Sequence, residues 1–552
     1  MKKFLLTVVC LALALAMFAA CSRNGEEETA PDPTPEPEHQ ETVDPPPDEP
    51  DDEDDGPQFD EPPTTVSIWF MGGGVDNDDT LVVEAANARL AELGLNINIR
   101  PIWTGGWAMG EPAQMALDTM DTSVDIVWTG SWGLNYFNNA RIGNYVRLDD
   151  PNNNLLERYG QDMMAAVPTA LWDAFVTDGP LGFGVYGVPG YKDYAAWFKM
   201  DVNNTRLAEL GFEFDEIFDM DGSNHEIIFE DVFVDILQAS KDMWGDSFFP
   251  LNLEAGNFVQ HFASTDGDLT GIHAFMFSFD PLNPANPVYP LVELQVENEL
   301  FLRVLDRVRY FWERGFIDPR LAIAGEAGDI ISQMHREGQY LFSTGQYAYG
   351  HTASMQAERE IDVRYVPLSA RPIISTMSAA GSGFAVSIYS QNPAAAVQFL
   401  NAWYTDNELA VILNEGIEGI HWQWYTDDDG NQLVQLIPEG RETYATWRFG
   451  MGNIFALTPR NTDGYGYFAR FNAYNALGVG TPILGFNFDN TAVAMEHAAL
   501  IAVVDEFRDV LTIGAVDPAV AVPQYLAALM ANGAEAVLEE INRQLEEFLA
   551  AR

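Results

Sequence analysis

Tryptophan side chains stand where two strand-like stretches run into glycine-rich loops. Trp103 and Trp107 follow one such stretch, whereas Trp128 ends the next one and Trp132 follows it. A flat aromatic ring covers the C–H face of a sugar, and nearby carboxylates and amides bond its hydroxyls. These four residues therefore predict a binding site for a sugar-like solute. The alternative is that each ring belongs to the core, where tryptophan is commonly buried.

Motifs for covalent or metal chemistry do not occur. None of the eight histidines has the His-Glu-x-x-His spacing of a zinc site, and no Gly-x-Ser-x-Gly elbow is present. Paired carboxylates could hydrolyse a glycoside, but among 83 acidic residues such pairs arise by chance. The run 427–431 suggests calcium, yet its glycine is misplaced for an EF-hand and Asp-Gly favours a hairpin turn. We expect a binding protein without cofactor or metal, and not an enzyme.

The N-terminus has the pattern of a secretory signal peptide. A basic start precedes an apolar run over residues 4–20 that is too short for a membrane span. The small residues before Cys21 resemble the lipobox of bacterial lipoproteins, with Phe18 where the consensus prefers Leu. We expect residues 1–20 to be removed and Cys21 to carry lipid (palmitate). The alternative is an ordinary secretory signal cut near Ala20.

Residues 21–65 form an acidic, proline-rich segment. Seventeen acidic residues and a single arginine fall between Ser22 and Thr65. Charge repulsion and proline keep such a segment extended, so we predict a disordered linker. The whole chain has a formal charge of −55, which repels phosphate backbones and argues against a nucleic-acid partner.

Alternating strand and helix patterns open the part of the chain after the linker. Two amphipathic helices separate three apolar strands, and this order predicts a parallel α/β sheet. Ligands of such sheets bind beyond the carboxyl ends of the strands, where the four tryptophans fall. The predicted elements are the strands 65–70, 96–100 and 124–128, the helices 80–93 and 111–120, a strand-like edge at 144–149 and a mainly helical stretch at 152–176.

Several motifs are similar to those of extracellular solute-binding proteins of the maltose-binding type. The stretch 186–189 (YGVP) and the apolar strand ending in Lys199-Met200-Asp201 resemble the first crossing between the lobes of that family. The nine residues 414–422 resemble the Y-G-I-E-G-K-H-Y signature of a lipoprotein subfamily, with Ile420 in place of its basic residue. Further resemblances lie at 125–128, 230–244, 338–345, 381–387, 392–403, and, for the subfamily's C-terminal domain of unknown function, 482–489 and 525–529.

The resemblance implies an α/β, two-lobed fold of the periplasmic-binding-protein type II, with hinge-connected lobes and a mainly helical C-terminal region. It places the solute-binding core at 66–405, with an N-lobe at about 66–190 and 383–405 and a C-lobe at about 191–382. Residues 406–552 would complete the lobes. The lobes would close about strands near 186–200 and 377–388.

The resemblance also implies a function. It describes a monomeric, lipid-anchored, extracytoplasmic protein that captures an oligosaccharide and delivers it to the permease subunits of an ABC importer. The alternatives are a cell-surface glycosidase or lyase, and a solute sensor with the same fold. Asp193 falls where the family has a hydroxyl-binding carboxylate, and the alternative is a surface or hinge carboxylate. The family has an aromatic stacker after the second-lobe strand, where this chain has Tyr347, Tyr349 and His351. Trp422 and Trp447 are further candidates for ligand contact, with core packing as the alternative.

Overall fold

In the computed structural model, residues 56–552 form one compact unit. All of the described residues lie in this unit. They are 59–71, 75–103, 110–195, 197–219, 223–253, 258–259, 262, 265–266, 272–280, 283–287, 292–323, 327–347 and 361–550.

A five-stranded sheet forms the centre of the first lobe. Its strands lie in the order Ile97–Trp103, Thr64–Phe70, Ile126–Thr129, Gly383–Val386 and Val188–Pro189. The first three are parallel, as predicted, and the returning strand Gly383–Val386 runs antiparallel to its neighbours. The edge predicted at 144–149 is reduced to a single bridge between Tyr145 and Ser387.

A four-stranded sheet forms the centre of the second lobe. Its strands lie in the order Val363–Pro367, Trp197–Asn203, Phe342–Tyr347 and Leu251–Asn252. Met200 and Val202 point into the core, while the alternate residues Lys199 and Asp201 form a buried ion pair on the opposite face. A smaller antiparallel sheet contains Thr265–Asp266, Phe275–Asp280, Asn283–Pro287 and Glu293–Leu294.

Two separate hydrophobic cores surround the two large sheets. The first core takes its helical residues from Asp79–Glu92, Gly110–Asp118, Tyr136–Ile142, Leu155–Tyr159, Gln161–Ala166, Thr169–Ala174, Thr376–Ala379, Pro393–Thr405, Asn407–Glu415 and Tyr467–Asn475. The second takes them from Asn204–Glu209, Phe214–Ile217, Asp231–Trp244, Glu299–Glu313, Ala327–Glu337, Ala494–Thr512, Pro518–Ala531 and Ala534–Ala550. The turn predicted at 427–431 joins the hairpin strands Trp422–Thr426 and Gln432–Leu436, which confirms the hairpin.

The last three helices make the C-terminal region helical, as predicted, and two of them, Ala494–Thr512 and Pro518–Ala531, pack on Glu299–Glu313. Arg309 of that helix donates Nη1 hydrogen bonds to the carbonyl oxygens of Gly514 (3.0 Å) and Ala515 (3.2 Å). Within the C-terminal region the rings of Phe507 and Tyr525 stack 5.2 Å apart. In the part of the chain that is described, no helix is both long and apolar enough to span a bilayer.

The chain passes between the two cores three times. The passages lie between Ala195 and Met200, between Ile373 and Ile374, and between Tyr474 and Ile483. The first falls inside the stretch predicted from the sequence, the second a few residues before its predicted stretch, and the third was not predicted.

The three passages touch one another. Ile373–Ile374 pairs in parallel with Val479–Gly480. A methyl group on Gly478 would lie 2.7 Å from the Cβ atom of Ala195 and 2.8 Å from Cγ1 of Ile374. The three passages therefore come together around Gly478. The lobes are connected at this one place by three neighbouring segments.

Candidate ligand-binding site

Residues 129–135, which we call the tryptophan loop, connect the strand Ile126–Thr129 to the helix Tyr136–Ile142. The Thr129 hydroxyl donates to the carbonyl oxygen of Leu134 (2.6 Å) and accepts from the Tyr145 hydroxyl (3.1 Å). Leu134 has φ of +40°, a left-handed conformation that costs a non-glycine residue about 1–3 kcal/mol. The loop is therefore held in a strained shape by its own hydrogen bonds.

The tryptophan loop is docked onto residues 377–382, which we call the return loop because the chain has just re-entered the first core. The Ser131 amide donates to the Ala380 carbonyl oxygen (2.8 Å), and the Ser131 hydroxyl donates to that of Met377 (3.0 Å). A methyl group on Gly130 would lie 2.9 Å from the carbonyl oxygen of Gly381. Only glycine fits this approach, so the two loops form one surface.

Trp128 lies underneath that surface. Its side chain is 0% exposed, and its Nε1 donates to the Ser382 hydroxyl at 2.9 Å. Gly133 leaves room for the ring, since a methyl group there would lie 3.1 Å from Cζ3 of Trp128. A ring without exposed surface supports its neighbours and offers no face to a ligand in this conformation.

Trp132, which is exposed, and Trp447, which is partly buried, form an aromatic surface above Trp128. Trp132 is 48% exposed and its Nε1 donates to the Gly381 carbonyl oxygen at 2.7 Å. Its ring centroid lies 5.2 Å from that of Trp128 and 6.1 Å from that of Trp447, both in edge-to-face geometry. Trp128 and Trp447 are 6.4 Å apart. The structure thus brings together three of the predicted site residues.

An ion pair lies beside the aromatic surface. Nζ of Lys192 contacts Oδ1 of Asp193 at 2.7 Å, and both side chains are mostly buried. A methyl group on Gly381 would lie 3.8 Å from this Nζ, so the pair shares Gly381 with Trp132. Asn475 holds the segment by donating to the Lys192 carbonyl oxygen at 2.9 Å. The predicted carboxylate, Asp193, is therefore linked to Trp132 through Lys192 and Gly381.

Two of the predicted tryptophans have structural partners instead. Trp103 is partly buried, stacks on Phe70 at 4.6 Å and donates from Nε1 to Oδ1 of Asp79 at 3.0 Å. Trp422 is buried and donates from Nε1 to the Gly416 carbonyl oxygen at 3.0 Å. Both rings serve packing within the first core.

The other predicted positions fall at or beyond the edge of the described structure. Tyr347 ends a strand of the second sheet, where its backbone is paired with Trp197. Trp107, Tyr349, His351 and Cys21 lie outside the described residues.

The 414–422 motif lies beside the start of the helix Asp79–Glu92. Gly416 has φ of +84°, and a methyl group on it would lie 2.5 Å from Nδ1 of His421. That Nδ1 accepts from the Ile417 amide at 2.8 Å, so the proton of the neutral ring is on Nε2, which faces Oδ2 of Asp78 at 3.2 Å. Hydrogen bonds from Thr443 and His421 hold the pKa of Asp78 below its ordinary value. The motif therefore has a structural role, and Ile420 is exposed beside it.

Two ion pairs that the sequence did not single out hold the segment around Trp447. Arg460 makes two hydrogen bonds, of 2.9 and 2.8 Å, to the buried carboxylate of Glu415. Arg448, next to Trp447 in the chain, contacts Asp463 at 2.7 Å. Lys192 and the return loop were also missed, although the motifs at 186–201 and 381–387 lie close to them. No group of three or more potential metal-binding side chains occurs among the residues for which coordinates are described.

Comparison with known proteins places this architecture among solute-binding proteins. Residues 482–550 match the model of a domain of unknown function, DUF3502. Over 486 residues the chain is 23% identical to a carbohydrate ABC transporter substrate-binding protein of Streptococcus pneumoniae serotype 4 (strain ATCC BAA-334 / TIGR4). That match covers 88% of this chain and 91% of the relative.

Solved structures agree with the fold. The crystal structure of the N-glycan transport solute binding protein (NgtS) from Streptococcus pneumoniae matches with a TM-score of 0.70 and 20% identity, covering 88% of this chain and 99% of that one. The same protein in complex with Man5GlcNAc matches with a TM-score of 0.65 and 20% identity, covering 89% and 99%. The predicted two-lobed α/β fold and the resemblance to extracellular solute-binding proteins are both confirmed.

Proposed function

We propose that this protein is the substrate-binding component of an ABC importer and captures an oligosaccharide between its two lobes. The observation that carries the proposal is the surface formed by Trp132 and Trp447 above Trp128, with the Lys192–Asp193 pair beside it. The rings offer flat faces to the C–H groups of a sugar, and the ion pair offers a donor and an acceptor to its hydroxyls. Direct contact is assigned to Trp132 and Trp447, because Trp128 is buried.

The relatives support the same ligand class. The named relative is a carbohydrate ABC transporter substrate-binding protein, and the solved neighbour is an N-glycan transport protein that has been seen with Man5GlcNAc. An oligosaccharide of this kind is therefore the first probe to test.

Capture would proceed by hinge closure. The three touching passages between the cores join the lobes at one place, so the lobes can rotate about it and enclose a ligand. No bond of the ligand is made or broken in this mechanism, and the permease subunits receive the ligand unchanged.

The N-terminal architecture belongs to the same proposal. Residues 1–20 would be a signal peptide, Cys21 the lipid-bearing first residue, and 21–65 the linker that holds a monomeric protein at the outer face of the membrane. Within residues 66–552, we assign the lobes by core: 66–195 and 374–474 to the N-lobe, and 200–373 and 483–545 to the C-lobe.

A ligand screen with product analysis tests the proposal. Man5GlcNAc and other neutral oligosaccharides are added to the protein, and the unfolding temperature and calorimetric affinity are measured, since a ligand of the folded state raises stability. We expect saturable binding, with the glycan recovered intact after prolonged incubation. Cleaved glycan would support the glycosidase or lyase alternative. If the protein binds the glycan and a sensor kinase, and no permease takes the glycan up, the solute-sensor alternative would be supported.

A further inference from the structure

An ion pair connects the C-terminal region, which belongs to the second core, to the first core. Nε of Arg141 lies 3.7 Å from Oδ2 of Asp489. Arg141 stands in the last turn of the helix Tyr136–Ile142, whose buried residues belong to the first core. Asp489 follows Phe488, whose side chain is buried in the second core. The contact therefore joins the two cores through side chains and not through the backbone.

Asp489 is held firmly in the C-terminal region. Its amide donates to Oε1 of Gln544 (2.9 Å), and Nε2 of Gln544 donates back to its carbonyl oxygen (2.8 Å). Oδ1 of Asp489 accepts from the amide (3.0 Å) and the hydroxyl (2.6 Å) of Thr491. The other carboxylate oxygen, Oδ2, is the one that faces Arg141.

The carboxylate of Asp489 stays ionised at neutral pH. Partial burial and the nearby Glu540 act to raise its pKa, but the bonds from Thr491 and the charge of Arg141 outweigh them and lower it. The contact is therefore an ion pair at neutral pH.

Arg141 is coupled to the tryptophan loop through a short helix. That helix begins directly after the loop, with Asn135 as its N-cap accepting from the Asn138 amide at 2.9 Å. Seven residues make up the helix, and Tyr136, Phe137, Asn139 and Ala140 are buried. The Arg141 side chain is only 17% exposed and also donates from Nη1 to Oδ1 of Asn138 at 3.3 Å. A force on Arg141 is thus transmitted to a rigid unit that carries Trp132.

We infer that Arg141 and Asp489 are positioning residues, through which the C-terminal region of residues 482–550 sets the angle between the lobes and so the placement of the tryptophan loop. Because the two residues belong to different cores, any rotation of the lobes changes the distance between their charges. The expected change in glycan affinity when the pair is removed rests on the proposed function. The expected change in the angle between the lobes does not.

The test is a double-mutant cycle on the full chain with Arg141→Gln, Asp489→Asn and both together. Asn at 489 keeps an oxygen that accepts from Thr491, so the local fold is preserved. We expect each single substitution to change the dissociation constant for Man5GlcNAc in the same direction by about two- to five-fold, the range of a partly exposed ion pair. The double variant should change it no further. Arg141→Lys should restore the native value.

A control variant and high salt separate the ion pair from general surface effects. Arg508→Gln removes an ion pair of the same C-terminal region, to Asp509, and it should leave the affinity unchanged. The difference between the native chain and Arg141→Gln should disappear in about 1 M salt, where the Debye length falls to about 3 Å.

Distances between the lobes test the inference without any glycan. Spin labels on Met115→Cys and Met243→Cys, both exposed positions, report the lobe angle in a full chain carrying Cys10→Ser and Cys21→Ser. We expect Arg141→Gln and Asp489→Asn to shift the distance distribution equally, and Arg508→Gln to leave it unchanged. Unchanged distances in all variants, or additive effects in the double variant, would overturn the inference. If Man5GlcNAc does not bind, the ligand proposal is contradicted, and the spin-label distances still test the inference about Arg141 and Asp489.

Discussion

The indole Nε1 of Trp132 donates a 2.7 Å hydrogen bond to the carbonyl oxygen of Gly381. The bond joins a loop that ends an early strand of the first sheet to a loop that the chain reaches only after crossing to the second lobe and back. Lys192, three residues before the first passage begins at Ala195, lies beside the same glycine, so three segments that are distant in the chain meet at one residue. The exposed ring of Trp132 is thereby fixed close to the passages that join the two lobes.

Trp132→Ala should weaken glycan binding with little loss of stability. The side chain is 48% exposed, so its removal leaves no core cavity. Losing an aromatic contact at the centre of a binding site costs about 2 kcal/mol, which corresponds to roughly a 30-fold higher dissociation constant. Calorimetric titration with Man5GlcNAc measures the affinity, and a denaturant unfolding curve measures the stability. Normal affinity in this variant would remove Trp132 from the site.

Trp128→Ala should show the opposite pattern, in which stability is lost first. The ring is fully buried and bonded to Ser382, and truncating a buried tryptophan costs about 3–5 kcal/mol of folding free energy. We expect a large drop in the midpoint of urea unfolding, and weaker binding only as a consequence. A stable Trp128→Ala protein that fails to bind glycan would show that the ring itself contacts ligand.

The local part of the fold was predictable because it depends on neighbouring residues. The alternating apolar pattern gave the strands Thr64–Phe70 and Ile126–Thr129 and the helix Asp79–Glu92 to within a few residues. The hairpin at 427–431 followed from Asp-Gly chemistry, with Gly430 at φ of +86°. The two-lobed arrangement came from the resemblance of motifs to a family and not from periodicity.

The sequence could not predict which tryptophan is buried and which is exposed, because residues far away in the chain decide this. Trp128 and Trp132 look alike in sequence, each beside a strand end. Trp128 lies in the interior, where its Nε1 donates a hydrogen bond to Ser382, 254 residues later in the chain. Trp132 instead bonds to Gly381 at the surface. The third passage, near Gly478, was missed for the same reason, since its partners Ala195 and Ile374 are also distant in sequence.

Gly416→Ala should destabilise the first lobe. Gly416 combines φ of +84° with ψ of −147°, a conformation open essentially to glycine alone, and the new methyl group would lie 2.5 Å from the ring of His421. We expect a loss of about 2 kcal/mol or more in the free energy of unfolding. Gly419→Ala is the matched control, since Gly419 has φ of +79° but nothing within 4 Å of the added carbon. Equal losses in both variants would contradict the role of the His421 contact.

Cys21→Ala should release the protein from the membrane. The small residues before Cys21 and the acidic linker after it predict a lipid anchor. Cell fractionation with an antibody to the protein should move it from the membrane pellet to the soluble extracytoplasmic fraction. A Cys10→Ala chain, altered within the predicted signal peptide, serves as the control and should stay in the pellet. Membrane retention of Cys21→Ala in high salt would place the anchor elsewhere.

Gly478→Ala should change the movement of the lobes more than it changes either core. An added carbon would press against Ala195 at 2.7 Å and Ile374 at 2.8 Å, so it would act as a wedge at a point where all three described passages meet. Overpacking of this kind costs about 1–3 kcal/mol unless the backbone shifts, and here the shift that relieves it is a rotation between the lobes. We expect the spin-label distance between residues 115 and 243 to change, with an altered glycan affinity and a modest loss of stability. Gly328→Ala is the control, because Gly328 lies in the helix Ala327–Glu337 with open space around the added carbon. An unchanged distance together with a native affinity would mean that the lobes rotate about some other point than this contact.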